Sequence, residues 1–299
     1  MHSEVRRLPE PGAVLALLKP VTWFPPIWAF LCGLVSVRAD LWGGDLRPWL
    51  GLLVAGPGVC AASQAVNDWF DRHVDAINEP HRPIPSGRIP GRWGLWLAIG
   101  WTGLSFAVGS QLGAWGWLAV TLGLALAWAY SAPPLRLKRN GWVGNMAVGV
   151  SYEGLAWVTG AAVGQPGLAP TGLVLVCALL YSLGAHGIMT LNDFKSQAGD
   201  RRMGIGSLPV RLGPARAAWV ACGVMLVPQL AVIGILVTRG ALVASGVILA
   251  LVLAQAALMV RLVRAPTEGN ALWYSARGVV LYVSGMMVSA MAIRPPVQP

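Results

Sequence analysis

Five of the chain's seven aspartates fall in two stretches, Asn67-Asp68-x-x-Asp71-x-x-x-Asp75 and Asn192-Asp193-x-Lys195-x-x-x-Gly199-Asp200, each directly behind a long apolar run. Ionised carboxylates crowded at a membrane boundary repel one another and lose solvation, so such a cluster holds a cation or a positively charged group. The i, i+3, i+7 spacing places Asp68, Asp71 and Asp75 on one stripe of a helix, joined by Asn78. Like charges so placed destabilise a helix unless a cation compensates them. With oxygen donors only, and neither a His/Cys cluster nor a Gly-centred calcium loop, the arrangement suits Mg2+ shared with the phosphates of a substrate. Arg82, Lys138, Arg139, Lys195, Arg201 and Arg202 supply positive charge for a phosphate on the same face. The expectation is a metal–diphosphate pocket in which Asp68, Asp71, Asp75, Asp193 and Asp200 are both catalytic and metal-holding. Neutralising a diphosphate leaving group lets an allylic C–O bond ionise, and a cavity within the bilayer excludes water that would quench the cation.

The elements that must position these loops are membrane helices. The chain is 56% hydrophobic and 11% charged, with a mean hydropathy of +0.61, and its apolar runs approach the ~20 residues that span a bilayer. The pattern predicts an all-α polytopic fold of nine spans around one central cavity, at about 21–37, 49–66, 93–110, 112–131, 142–163, 171–191, 217–237, 242–260 and 272–293. No linker or composition break divides residues 1–299, so one membrane domain is expected, with 1–20 as a cytoplasmic N-terminal segment. Two halves facing one cavity are suggested by an echo: the second and sixth spans each end in Asn-Asp, 125 residues apart.

The net charge of +10 does not gather into one soluble patch for nucleic acid; it follows a topology. With the N-terminus inside, seventeen basic residues fall in cytoplasmic segments and four, Arg38, Arg47, Arg239 and Arg294, outside, with Arg277 left within the last span. That bias puts both Asp loops in the cytoplasm and the C-terminus outside. Charges and two prolines precede a full-length first span, so the N-terminus does not read as a cleavable signal. Cys32, Cys60, Cys177 and Cys222 are scattered singly through apolar runs and read as inert buried thiols. Many of the fifteen tryptophans fall near span ends, as an interfacial belt does. His186 reads as a packing residue within the sixth span. Glu153, a carboxylate at membrane depth, is a substrate-site candidate.

The first Asp motif resembles the signature of the UbiA superfamily of intramembrane prenyltransferases, with which nine spans agree. Three longer strings are similar to its chlorophyll and bacteriochlorophyll synthase branch. They are Asp75-Ala-Ile-Asn78-Glu-Pro80-His-Arg82-Pro-Ile-Pro-Ser86-Gly87; Tyr130-Ser-Ala-Pro-Pro-Leu-Arg136-Leu-Lys138-Arg139; and Asp193-Phe-Lys195-Ser-Gln-Ala-Gly199-Asp200-Arg201. The resemblance runs from about Lys19 to the C-terminus, and the spelling of 69–75 with a short N-terminus looks purple-bacterial. It implies Mg2+-dependent esterification of the propionate of a chlorophyllide or bacteriochlorophyllide by geranylgeranyl or phytyl diphosphate, in the cytoplasmic membrane or its photosynthetic invaginations. Asn67, Asn78, Arg82, Tyr130, Lys138, Arg139, Glu153, Lys195 and Arg201 become substrate-binding candidates, and the surface has room for partner enzymes of the pigment pathway. The second loop departs from the tighter Asp-x-x-x-Asp of many relatives, since six residues separate Asp193 from Asp200. Two other readings stand beside this one: a sibling prenyltransferase whose acceptor is an aromatic acid or haem, and a secondary transporter, whose charges would lie nearer the bilayer midplane on broken helices.

Overall fold

The computed structural model describes residues 8–296, apart from the side chain of Asn78. Among them every regular element is helical, and the only β pairing is an isolated bridge between Asn140 and Gly206. The helices are α1 (Pro11–Leu18), α2 (Phe24–Ser36), α3 (Arg47–Leu53), α4 (Ala61–Asn78), α5 (Trp93–Gly109), α6 (Gly113–Ser131), α7 (Gly141–Gly149), α8 (Ala156–Gly164), α9 (Gly172–Asp193), α10 (Gln197–Met203), α11 (Leu208–Leu212), α12 (Pro214–Thr238), α13 (Leu242–Arg264) and α14 (Glu268–Ala292). Their starts carry ordinary signals. Proline opens α1, α2, α3, α11 and α12, while the side chains of Asn140, Thr171 and Thr267 accept hydrogen bonds from the first-turn amides of α7, α9 and α14.

Among the described residues six helical runs are long and apolar enough to cross a membrane, and seven if the bent pair Pro11–Thr22 and Phe24–Ser36, angled at 53°, is one span. The chain is therefore an integral membrane protein, but the nine expected spans are not all distinct by length and apolarity. The run Trp93–Ser131 is continuous by those measures, yet it breaks at Gly113 (φ 78°) and its two parts, α5 and α6, pack on each other. The α7–α8 run falls short because Ser151, Tyr152 and Glu153 dilute its apolar sequence. The first span, expected as one piece from about 21, bends between Thr22 and Phe24.

The largest buried cluster joins α2, α8, α9 and α14, where Trp157 stacks on Tyr181 at 5.7 Å and Tyr181 meets Tyr282 edge-on at 5.4 Å. Close backbone approach makes this wall possible. A Cβ on Gly33 of α2 would strike the Trp157 carbonyl, and one on Gly160 of α8 the Phe30 carbonyl. Small residues at a helix crossing are the usual route to tight packing in lipid, where neighbouring chains are as apolar as the side chains themselves. Large exposed apolar groups, among them Trp96, Leu104, Trp117 and Leu253, cover the lipid-facing outside.

Two wide turns shape the interior. Val54–Cys60 and Val150–Leu155 are π-helical segments joining α3 to α4 and α7 to α8. A π turn inserts one residue and re-aims the side chains around it. Here the two meet, with Cys60 Sγ 3.3 Å from the Tyr152 hydroxyl, and both contribute side chains to a common cavity.

Candidate active site

The cavity has a volume of about 480 Å³ and lies between α4, α6, α7 and α9. Asp71 and Asp75 line one side of it, Asp193 and Asp200 another, so the two Asp loops share one chamber at one end of the molecule. Arg82, Arg136, Lys138 and Lys195 line it as well, which gives the wall four carboxylates and four cations.

The first motif is held by cations. Helix α4 continues to Asn78, as the stripe requires, and carries Asp68, Asp71 and Asp75 on one face. Lys138 Nζ lies 2.6 Å from both Asp71 oxygens, and Arg136 reaches Asp71 Oδ1 at 3.4 Å. Burial pulls the Lys138 ammonium below the usual lysine range against the opposing attraction of Asp71. Arg82 bridges Asp75 at 2.9 Å and Asp68 at 3.5 Å, and its guanidinium is itself held by both Glu79 oxygens at 2.6 and 2.7 Å. Burial pushes the Glu79 carboxyl up, but the bonded Arg82 overcomes this and holds it below the usual range. Lys19 Nζ donates to Asp68 Oδ1 at 2.6 Å.

Lys19 and Arg136 both occupy the left-handed region, at φ 46° and 40°, and each aims its side chain at an aspartate of the stripe. Non-glycine residues held there are uncommon and collect at functional sites.

The second motif is held by neutral donors. Asn145 Nδ2 lies 3.0 Å from Asp193 Oδ2, and Ser196 Oγ donates to Asp200 Oδ2 at 2.9 Å. Loop and helix are fastened together beside it: Gly141 N donates to Gly206 O and Gly206 N to Arg139 O, both at 2.9 Å. Gly141 is needed there, since a Cβ would come within 2.7 Å of Leu208 N.

Not every candidate reaches the chamber. Asn67 and Tyr130 line it, with Asn67 Nδ2 bonded to Ser131 Oγ at 3.2 Å and Lys138 Nζ 6.0 Å from the Tyr130 ring centre. Asp68 is 2% exposed and sits behind the lining between Lys19 and Arg82, its Oδ2 without a partner among the described residues. Arg139 and Arg201 are exposed away from the lining, Arg139 beside the Gly206 bridge and Arg201 in the last turn of α10. Glu153 is buried at 5% exposure and does not line the chamber, although its neighbours Ser151 and Tyr152 do: the π turn aims them to opposite sides. The side chain of Asn78 lies outside the described residues. His186 is buried with its ring stacked on Trp142 at 5.4 Å.

Lys19, which pairs with Asp68, and Gln64, Arg136, Tyr152 and Ser196 at the chamber, with Asn145 on Asp193, are not marked out by the sequence pattern. Tyr152 has the clearest geometry. Its hydroxyl receives Gln64 Nε2 at 3.0 Å and meets Ser63 Oγ at 3.2 Å, and its ring borders both the main chamber and an adjoining apolar pocket of about 30 Å³ lined by Val54, Val59, Ala119 and Leu155. A polar Ser-Tyr pair inside an apolar run was its only visible signal.

Residues 22–276 match the pattern of the UbiA prenyltransferase family. The chain belongs to that family. It is 57% identical to the bacteriochlorophyll synthase 33 kDa chain of Cereibacter sphaeroides over 97% of this chain and 95% of the relative, and 55% identical to the protein of that name from Rhodobacter capsulatus over the same shares. Among solved structures it is similar to a UbiA homologue from Archaeoglobus fulgidus bound to GPP and Mg2+, with a TM-score of 0.70 and 21% identity, covering 90% of this chain and 99% of that one. At that identity the likeness establishes the fold.

Proposed function

We propose that this family member is a bacteriochlorophyll synthase: it joins the prenyl group of geranylgeranyl or phytyl diphosphate to the propionate of a bacteriochlorophyllide. The observation that carries the reading is the shared chamber, in which carboxylates from two loops and four cations face one another at the end of a membrane-embedded bundle. The identity to the two bacteriochlorophyll synthases supports the acceptor.

The donor set fits Mg2+. All candidate ligands are carboxylate oxygens, Asp193 and Asp200 are hydrogen-bonded by the neutral side chains of Asn145 and Ser196, and among the described residues no three acidic, His or Cys side chains are grouped to hold a metal by themselves, so substrate phosphate would have to complete the set. An open set of this kind suits an ion that keeps waters and shares phosphate oxygens. Asp71, Asp75, Asp193 and Asp200 would hold it, and when bound it would neutralise the diphosphate leaving group.

The chain's own residues do the rest. Lys138, Arg136, Arg82 and Lys195 face the diphosphate and stabilise the charge that grows on it as the allylic C–O bond breaks. The prenyl chain lies past Tyr152 along the chamber's apolar wall of Val59, Leu126, Ala127, Ala147 and Val148, which excludes water. A propionate oxygen then bonds the allylic carbon and diphosphate departs. The acceptor carboxylate is already ionised near neutral pH, so no general base is required. We also propose one membrane domain of nine spans in the cytoplasmic membrane, with N-terminus and both Asp loops inside and C-terminus outside; the hairpin break at Gly113 and the α7–α8 run bordering the chamber support the count.

The test is incubation of membranes containing the protein with labelled geranylgeranyl diphosphate, divalent metal and a panel of acceptors. Esterified pigment is expected only with a magnesium-containing bacteriochlorophyllide or chlorophyllide and metal together, and Asp193→Asn and Asp200→Asn should each abolish it. Efficient prenylation of 4-hydroxybenzoate or haem, with none of the chlorophyllides, would overturn the assignment and spare the fold.

A further inference from the structure

Arg277 lies in the ninth residue-step of α14, a 25-residue helix of the membrane-crossing kind, with its side chain exposed on the outer surface. An arginine there is costly unless its head reaches water or an anion. Helical side chains lean toward the N-terminus of their helix, so Arg277 reaches back along α14, and its Nη1 donates to the Trp273 carbonyl at 3.3 Å. At the same level Arg261, on the neighbouring helix α13, extends to Asn270 Oδ1 at 2.9 Å. Both guanidiniums then sit over one indole: Arg261 is 4.4 Å and Arg277 is 4.9 Å from the Trp273 ring centre.

This places two fixed positive charges within about 10 Å of each other at a low-dielectric boundary, since each lies under 5 Å from the same ring. A single aromatic face attracts an exposed cation only weakly and does not neutralise a pair. No ion pair among the described residues involves Arg261, Arg264 or Arg277. Arg264 adds a third charge at the end of α13, and exposed Val260, Leu272 and Val280 flank the cluster with apolar surface. Basic pockets between membrane helices beside apolar flanks are the kind of surface that takes an acidic headgroup.

We propose that Arg261, Trp273 and Arg277 form a binding site for the phosphate of an anionic phospholipid, whose acyl chains run inward along Val260 and Val280. The lipid completes the charge balance of the α13–α14 hairpin and fixes its depth in the bilayer. The site is separate from the catalytic chamber, none of whose lining residues it shares.

The experiment is native mass spectrometry of the full chain in detergent, titrated with phosphatidylglycerol or phosphatidylcholine. The intact protein should retain one phosphatidylglycerol at concentrations where phosphatidylcholine is at least tenfold less retained. Arg261→Gln/Arg277→Gln should lose that preference, whereas Arg92→Gln/Arg216→Gln, which removes the same charge elsewhere on the basic face, should keep it. Glycerol phosphate should not displace the lipid at equal concentration; displacement would reassign the site to a free phosphate and overturn the proposal. Equal retention of the two lipids, or a double Arg261/Arg277 variant that behaves as the parent does, would also overturn it. Should that double variant fail to fold, Arg261→Gln alone should lower the preference at least threefold, and an unchanged preference in that single variant would overturn the proposal.

Discussion

Asp68 shows how a single side chain in this site differs from its neighbours on the stripe. Asp71 and Asp75 face the chamber, whereas Asp68 is buried behind it with Lys19 at 2.6 Å and one oxygen without a partner. Removing one member of a buried pair strands the other's charge, at a cost of about 3–5 kcal/mol when both are fully enclosed. Lys19 is 24% exposed and Arg82 still lies 3.5 Å from Asp68, so a smaller cost, roughly 1–3 kcal/mol, is appropriate here. We predict that Lys19→Met lowers both the melting temperature and the turnover of the solubilised protein. Lys19→Met/Asp68→Asn should recover the melting temperature, because no under-paired buried carboxylate remains and Arg82 keeps Asp75 and Glu79. If Asp68 also steers Arg82 or metal toward the chamber, turnover in the double variant should stay depressed on the order of 10²-fold, in the range of lost supporting contacts at metal sites. Full recovery of turnover would make Asp68 a purely structural partner of Lys19.

At the scale of the element, the chamber depends on connections as much as on helices. The Asn140–Gly206 bridge ties the start of α7, and with it Asn145, to the loop that carries Asp200. Gly141→Ala would set a methyl group against Leu208 N and force these segments apart, at a cost of about 1–3 kcal/mol. We predict a raised KM for the prenyl diphosphate and reduced turnover. Gly223→Ala, in α12 where a Cβ meets nothing within 4 Å, should be neutral or slightly stabilising through helix propensity. A Gly141→Ala variant with unchanged KM would show that the bridge does not position the second loop. These connections explain what could be read from sequence. Asp71, Asp75, Asp193 and Asp200 were visible because an acid cluster behind an apolar run is rare on physical grounds. Lys19 and Arg136 were not, because their reach depends on left-handed backbone turns that leave no periodic trace. Tyr152 was hidden because a π turn breaks the 3.6-residue register by which a helix face is read.

For the whole molecule, charge asymmetry and cavity geometry make one joint demand. The lining of a single chamber by Asp71 and Asp193 requires both loops to lie on the same side of the membrane, and the proposed nine-span topology, with its seventeen-to-four distribution of basic residues, makes the cytoplasm the side to test. The four cysteines are free and buried, so the unaltered chain is a quiet background for labelling with a membrane-impermeant thiol reagent. His81 and Ala198 are exposed in the first and second Asp loops, and Arg239 is exposed at the far end of α12. We predict that His81→Cys and Ala198→Cys react only in inside-out vesicles, and Arg239→Cys only in right-side-out ones. The two loop positions are the decisive pair, because the chamber needs them together whichever way the protein inserts. Reaction of His81→Cys and Ala198→Cys from opposite faces would separate the two carboxylate sets by the bilayer, and no shared diphosphate site would survive that result. Reaction of both from the outside would keep the shared site and reverse only the orientation drawn from charge.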